Sequence, residues 1–244
     1  MNNAVMCKNY HLMLSDVDKY FRLRLSVLFK MFQDLAVKHA SSLGVGREET
    51  LDRGFLWIVT KIKLEIIRLP VYGEDIILKT WPGETSRVYF PRYYELRSSS
   101  DELLARASSL WALIEGEKRS PVIPGAESIH VKGHISGNEL LLPTCLRIPD
   151  NEACKTDSAL RTVLYSDIDM NGHMNNTKYL DWIDDFLGDD FHKAHSFKAF
   201  QINFISEETL GMNVRLEKFI LNDEIYVKGL ANDKNIFLLH ALYV

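Results

Sequence analysis

Cysteine is scarce: Cys7, Cys145 and Cys154 are the only three among 244 residues. Their spacing suits neither a zinc site nor a disulfide framework, and an odd, sparse count fits a reducing compartment. An excess of basic residues is also missing. The formal net charge is −4, so overall electrostatics give no support to a nucleic-acid partner. Apolar runs stop at strand length, so no transmembrane span is expected. The opening segment, "MNNAVMCKNYHLML", shows no basic stretch followed by an apolar core, so no signal peptide is read there. A cytoplasmic protein without a membrane partner is the expectation. The remainder is 46% hydrophobic and 25% charged, which allows one large globular domain or two small ones.

The first clear helix spans residues 26–44, "SVLFKMFQDLAVKHASSLG". Ser26 is a good N-cap, and Gly44 offers a C-terminal stop. Leu28, Met31, Phe32, Leu35, His39 and Leu43 recur with a period near 3.6, so one broad face needs cover. Four strand-like segments follow, beginning with "FLWIVTKIKLEIIRL" and ending with "ELLARASSLWALIEG". Short turns between them predict an antiparallel meander. A helix followed by such a meander gives an α+β layer, not a βαβ repeat. Residues 117–158 are then broken by Pro121, Pro124, Gly125, Gly133, Gly137, Pro143 and Pro149. The expected division is an N-terminal unit over 1–125, a linker over 126–158 and a C-terminal unit over 159–244.

The second half repeats the order of the first. "ALRTVLYS" leads into a polar stretch, a helix follows in "NTKYLDWIDDFLG", and four more strand-like segments close the chain. Residues 15–23, "SDVDKYFRL", set against 166–174, "SDIDMNGHM", without a gap. Residues 69–75 set against 207–213 with Gly73 and Gly211 in register. Asp18 therefore matches Asp169, while Tyr20 matches Asn171, Arg22 matches His173 and Leu69 matches Glu207. Had those polar groups served only the turn, the first copy would need them too.

Their chemistry points the same way. His173 can exchange protons near neutral pH. Asn171 can donate an amide hydrogen bond without changing charge. Asp169 can orient a neighbouring donor or a water. Glu207, at a strand end, can act as base or nucleophile. Asn175 or Asn176 is expected to cap the following helix, whose free N–H groups would cradle a developing oxyanion. Read alone, an Asp/Asn/Gly run before a helix is most often turn and cap chemistry. "HKAH" at 192–195 lacks further ligands and is not read as a metal site.

"DIDMNGHMNNTKYLDW" resembles the signature of the acyl-acyl-carrier-protein thioesterases, double hot-dog hydrolases of fatty-acid synthesis. The first half is similar to theirs in "LFKMFQDLAVKHASSLG", "GFLWIVTKIKLEIIRLPVYGEDIILKTW" and "RASSLWALIEGEKRSP". The resemblance implies two tandem hot-dog units, each a long helix wrapped by an antiparallel sheet. It places the catalytic residues on Asp169, Asn171, His173 and Glu207, with hydrolysis of fatty acyl-acyl-carrier-protein as the activity and no cofactor or metal. Plant members carry a cysteine after that glutamate; this chain has Glu208, so a cysteine–histidine mechanism is not expected and a bacterial-type member is. Acyl carrier protein is the implied partner. Lys61, Lys63, Arg87, Arg92, Lys118, Arg119 and Arg161 are candidates for docking it, and a homodimer is possible. The alternatives are an acyl-CoA thioesterase and a non-catalytic acyl-binding hot-dog protein.

Overall fold

A computed structural model describes residues 4–86, 88–123, 129, 131–148 and 155–244. Arg87, Cys154, Pro124, Gly125 and Pro149 lie outside them. The chain divides into two compact units, Met1–Pro143 and Thr144–Val244.

Unit 1 opens with strand β1 (Met6–His11) and a single 3-10 turn at Leu14–Asp16. Helix α1 (Leu25–Ser42) follows, then the short α2 (Arg47–Leu51) and strands β2 (Phe55–Ile66), β3 (Asp75–Pro82), β4 (Tyr89–Ser98) and β5 (Leu103–Glu115). All pairings are antiparallel, in the order β1-β3-β4-β5-β2.

The apolar stripe of α1 explains why the helix lies on this sheet. Leu28, Phe32, Leu35 and Ala36 are buried, and Phe32 stacks on Tyr94 of β4 at 4.5 Å. Each such side chain contributes roughly 1.5–3 kcal/mol when removed from water. The helix begins one residue before its expected cap. Leu28 N–H donates to the Arg24 carbonyl, and Ser26 is a buried residue inside the first turn. Gly44 does stop the helix. Its φ of +73° lets Gly44 N–H reach the Ser41 carbonyl while Val45 N–H reaches that of Ala40. These paired bonds satisfy carbonyls that the helix would otherwise leave open.

Unit 2 repeats the plan. Strand β6 (Lys155–Thr162) leads to a 3-10 turn at Tyr165–Asp167, then α3 (Lys178–Leu187) and the short α4 (Asp189–Ala194). Strands β7 (Phe197–Phe204), β8 (Asn213–Leu221), β9 (Glu224–Ala231) and β10 (Lys234–Tyr243) complete it. The order β7-β10-β9-β8-β6 is that of unit 1 read from its other edge. Helix α3 buries Tyr179, Leu180, Trp182, Ile183 and Phe186, and the Tyr179 ring packs on Phe204 and Phe237. No helix among the described residues is long and apolar enough to cross a membrane.

Candidate active site

The polar stretch 166–177 is a closed loop held by its own short side chains. Asp167 accepts from Leu164 N–H at 2.9 Å and fixes the 3-10 turn. Ile168 and Met174 then form a bridge across the loop. Inside it, Asp169 N–H donates to the His173 carbonyl at 2.8 Å, and Gly172 N–H to the Asp169 carbonyl at 3.0 Å. The Asp169 carboxylate accepts from Asn171 N–H at 2.8 Å. Gly172 has φ of +81°, a conformation that a side chain would strain. Met174 N–H donates to the Glu208 carbonyl at 2.7 Å, which ties the loop to the chain leaving β7.

The residue capping α3 is Thr177, not Asn175 or Asn176, and its side chain makes no capping bond; Asn175 braces it instead. Its side-chain oxygen accepts from Thr177 N–H at 2.9 Å and from the Thr177 hydroxyl at 2.8 Å. Its carbonyl accepts from Lys178 N–H. Two amides of the helix entrance are thereby occupied.

These main-chain ties bring His173 to Glu207, with Nε2 and Oε2 3.7 Å apart. The separation is beyond a good hydrogen bond but within ion-pair range. The side chains retain 28% and 37% of their exposure, so water reaches both. Glu208 points elsewhere. It is buried and accepts from the Ser206 hydroxyl at 3.0 Å. Of two adjacent carboxylates, Glu207 is thus the one that meets the histidine. The Asp169 carboxylate serves the Asn171 backbone and lies on the same loop, as does Asn171, which is exposed.

Sequence reasoning did not single out Tyr179, on the first turn of α3. Its hydroxyl is fully buried without a hydrogen-bond partner. Burial, and secondarily the Glu208 carboxylate, push its pKa well above the usual phenol range. Its position in the apolar stripe of α3 was the signal.

Unit 1 shows which parts of this loop are scaffold. Asp18 N–H donates to the Arg22 carbonyl at 2.8 Å, and the Asp18 carboxylate accepts from Tyr20 N–H at 2.8 Å. Val17 bridges Leu23, and Leu23 N–H reaches the Pro70 carbonyl. Gly73 N–H reaches Leu12 as Gly211 N–H reaches Val163. The two loops share these main-chain bonds, with the offsets read from the sequence. The side chains differ. Arg22 folds back on Asp18, with Nε at 3.2 Å and Nη2 at 3.1 Å from its carboxylate. His173, at the matching position, reaches Glu207 instead.

An α+β unit built twice, with a histidine–carboxylate pair in the second copy, defines the class. Its resemblances to known proteins are specific. Residues 3–126 match the family model of the acyl-ACP thioesterase N-terminal domain, and residues 152–235 that of the C-terminal domain. The chain belongs to the acyl-ACP thioesterase family. A chloroplastic acyl-[acyl-carrier-protein] hydrolase of Cuphea viscosissima is 28% identical over 170 residues, covering 65% of this chain and 41% of that protein. A chloroplastic dodecanoyl-[acyl-carrier-protein] hydrolase of Cinnamomum camphora is 26% identical over 196 residues, covering 73% and 50%. The chain spans about half the length, or less, of these curated relatives. Among solved structures, an acyl-ACP thioesterase from Bacteroides thetaiotaomicron superposes with a TM-score of 0.84 at 22% identity, covering 99% of this chain and 98% of that one. The 12:0-ACP thioesterase of Umbellularia californica gives 0.86 at 17%, covering 100% and 98%. The fold is the tandem hot-dog fold.

Proposed function

We propose that this chain hydrolyses the thioester joining a fatty acyl group to acyl carrier protein. The observation that carries the reading is the approach of His173 to Glu207, in the one copy of the loop that has both residues. A thioester carbonyl is already electrophilic, so hydrolysis needs an activated water, an oxyanion site and a proton for the leaving thiolate. Glu207, open to water, takes a proton as the water oxygen adds to the carbonyl carbon. Negative charge then develops on the carbonyl oxygen. The entrance of α3 stabilises it through backbone N–H groups not already held by Asn175, with the Asn171 amide as a further donor. Collapse breaks the C–S bond, and the thiolate recovers the proton through the Glu207–His173 pair. The products are a free fatty acid and a thiol. Asp169 keeps the loop in shape. The reaction calls for no metal or redox cofactor.

The names of the curated relatives support acyl carrier protein as the partner. Docking falls to the surface cations of the expected set. Lys118 and Arg119 are exposed, and Lys61 and Lys63 are half-buried along β2. Arg161 pairs with Asp185 at 3.2 Å. Arg92 is withdrawn from that set, because it is buried inside unit 1.

Turnover on matched acyl-carrier-protein and acyl-CoA thioesters tests the reading. The carrier-protein substrate should be cleaved faster, and Glu207→Ala should lower kcat by roughly 100-fold or more, the usual range for losing a general base. Faster cleavage of the CoA thioester would move the partner to CoA. No cleavage of either would leave an acyl-binding protein.

A further inference from the structure

Two polar groups lie buried behind the reactive loop of unit 2, and unit 1 does without both. Carried on into the helices, the loop alignment sets Tyr179 of α3 against Leu28 of α1. Buried positions then coincide, with Leu28, Phe32 and Leu35 on Tyr179, Ile183 and Phe186. The second alignment sets Glu208 against Pro70, whose carbonyls accept matching bonds from Met174 N–H and Leu23 N–H. Where the reactive histidine and glutamate are missing, these two positions carry a leucine and a proline. The scaffold therefore needs neither the phenol nor the buried carboxylate.

Both groups cost stability where they are. Tyr179 is 2% exposed, and its hydroxyl has no hydrogen-bond partner. A buried donor left unpaired is destabilising, and phenylalanine in its place would avoid the cost. Glu208 is 5% exposed. Among the described residues the Ser206 hydroxyl is its one side-chain donor, and no cation pairs with it. A carboxylate can accept several hydrogen bonds, so this one has capacity for a further donor. The two groups are close enough for the Glu208 charge to add to the burial that raises the Tyr179 pKa. The Tyr179 ring also packs on Phe204, the last residue of β7, from which the chain runs on to Glu207.

Glu208 occupies a junction. It follows Glu207 in the chain, and its carbonyl holds the N–H of Met174, the neighbour of His173. In unit 1 the proline ring locks φ at the matching position. A glutamate is free to turn there, and a turn of its peptide would carry Glu207 away from His173. An anchored side chain can do what the ring does in unit 1.

We propose that Tyr179 and Glu208 are positioning residues: the phenol, across one water, holds the Glu208 carboxylate and thereby keeps Glu207 facing His173. The role rests on the hydrolysis reading above.

Steady-state cleavage of the acyl-carrier-protein thioester that the native protein cleaves fastest tests it. Tyr179→Phe should lower kcat roughly tenfold, as displacement of a reacting group does, with KM within about twofold. A merely structural Tyr179 implies the reverse, because removing an unpaired hydroxyl leaves turnover unchanged. Glu208→Leu should lower kcat as much as Tyr179→Phe. Glu208→Gln keeps an acceptor of the same reach and should lower it far less. The double variant Tyr179→Phe/Glu208→Leu should lose no more than either single one, since both break one link. Native kcat in Tyr179→Phe, losses that multiply in the double variant, Glu208→Gln as damaging as Glu208→Leu, or a rise in KM alone would each overturn the proposal. If Glu208→Leu does not fold, Tyr179→Phe and Glu208→Gln decide it. The native protein separates this role from the reading beneath it. Failure of the native protein to cleave any thioester removes the hydrolase and this role with it. Equal cleavage by the native protein and Tyr179→Phe removes this role alone.

Discussion

The matched loops allow scaffold and chemistry to be separated by the same substitution made twice. Asp18 accepts hydrogen bonds from Tyr20 N–H, Arg22 N–H and Arg22 Nε, at 2.8, 2.9 and 3.2 Å. Its side chain is 25% exposed, and that of Arg22 is 21% exposed. Asp169 accepts from Asn171 N–H. A hydrogen bond to a charged group contributes about 1.5–3 kcal/mol at best, and bonds to one acceptor are not additive. Partial solvation lowers the sum further, so Asp18→Ala should destabilise unit 1 by about 2–3 kcal/mol. Asp169→Ala should destabilise unit 2 by about 1 kcal/mol. With denaturant slopes of ~2 kcal/mol per molar urea for units of this size, the unfolding midpoints should fall by about 1 M and 0.5 M. Tryptophan fluorescence can follow both, since Trp57, Trp81 and Trp111 report unit 1 and Trp182 reports unit 2. Thioester turnover on the same samples should show the opposite ranking, with Asp169→Ala the more damaging. If Asp18→Ala is no more destabilising than Asp169→Ala, or lowers kcat as much, the division of roles is wrong.

Three further outcomes are expected. Glu224 accepts a short hydrogen bond from the Tyr226 hydroxyl and lies 3.0 Å from His240 Nε2. The Tyr226 bond comes first among the causes that hold its pKa below the usual carboxylate value, with His240 adding to it. A depressed folded-state pKa contributes stability above the unfolded pKa that is lost as pH falls through the folded one. The Tm advantage of the native protein over Glu224→Gln should therefore be present at neutral pH and vanish in acid; an advantage independent of pH contradicts the linkage. Cys7 and Cys145 are exposed, and serine at both should keep most turnover; inactivation of the folded double variant would implicate a thiol. Charge steering is screened over about 8 Å at physiological ionic strength. Added salt should thus raise the apparent KM for acyl-carrier-protein substrates more than for a short neutral thioester, and equal responses would discard docking through surface cations.

How legible the chain was depended on local pattern. The apolar period of α1 and the alternation in β2 and β3 marked those elements, because alternate or periodic positions are the more buried ones, whereas β4 and β5, buried on both faces, were delimited by the short turns beside them. Strand β1 has no such contrast. Four of its six residues are exposed, so "MCKNYH" carries no alternation to read. Ser26 looked like a cap by residue type, but burial of Leu25 drew the helix start back one position. The loop around His173 was legible because an internal copy without the histidine stood beside it. Arg92 was misread as a surface cation on residue type alone. Its spacing from Phe90, Tyr94 and Leu96 carried the correct signal, since alternate residues of a strand share a face. The pairing of His173 with Glu207 rather than Glu208 was not legible, because the chain leaves the sheet at Phe204 and alternation ends with it.

The bond from Met174 N–H to the Glu208 carbonyl joins two stretches of main chain. The spacing between positions 173 and 207 is therefore set by peptide groups, which every residue except proline supplies in full. Side chains at 171, 173 and 207 can be exchanged without dismantling the frame that holds them. Leu23 and Pro70 demonstrate it, keeping the same bond at 2.9 Å between entirely different neighbours. Such a frame is inheritable apart from its cargo: after a duplication one copy can lose its reactive groups and the other retain them, with neither losing its shape.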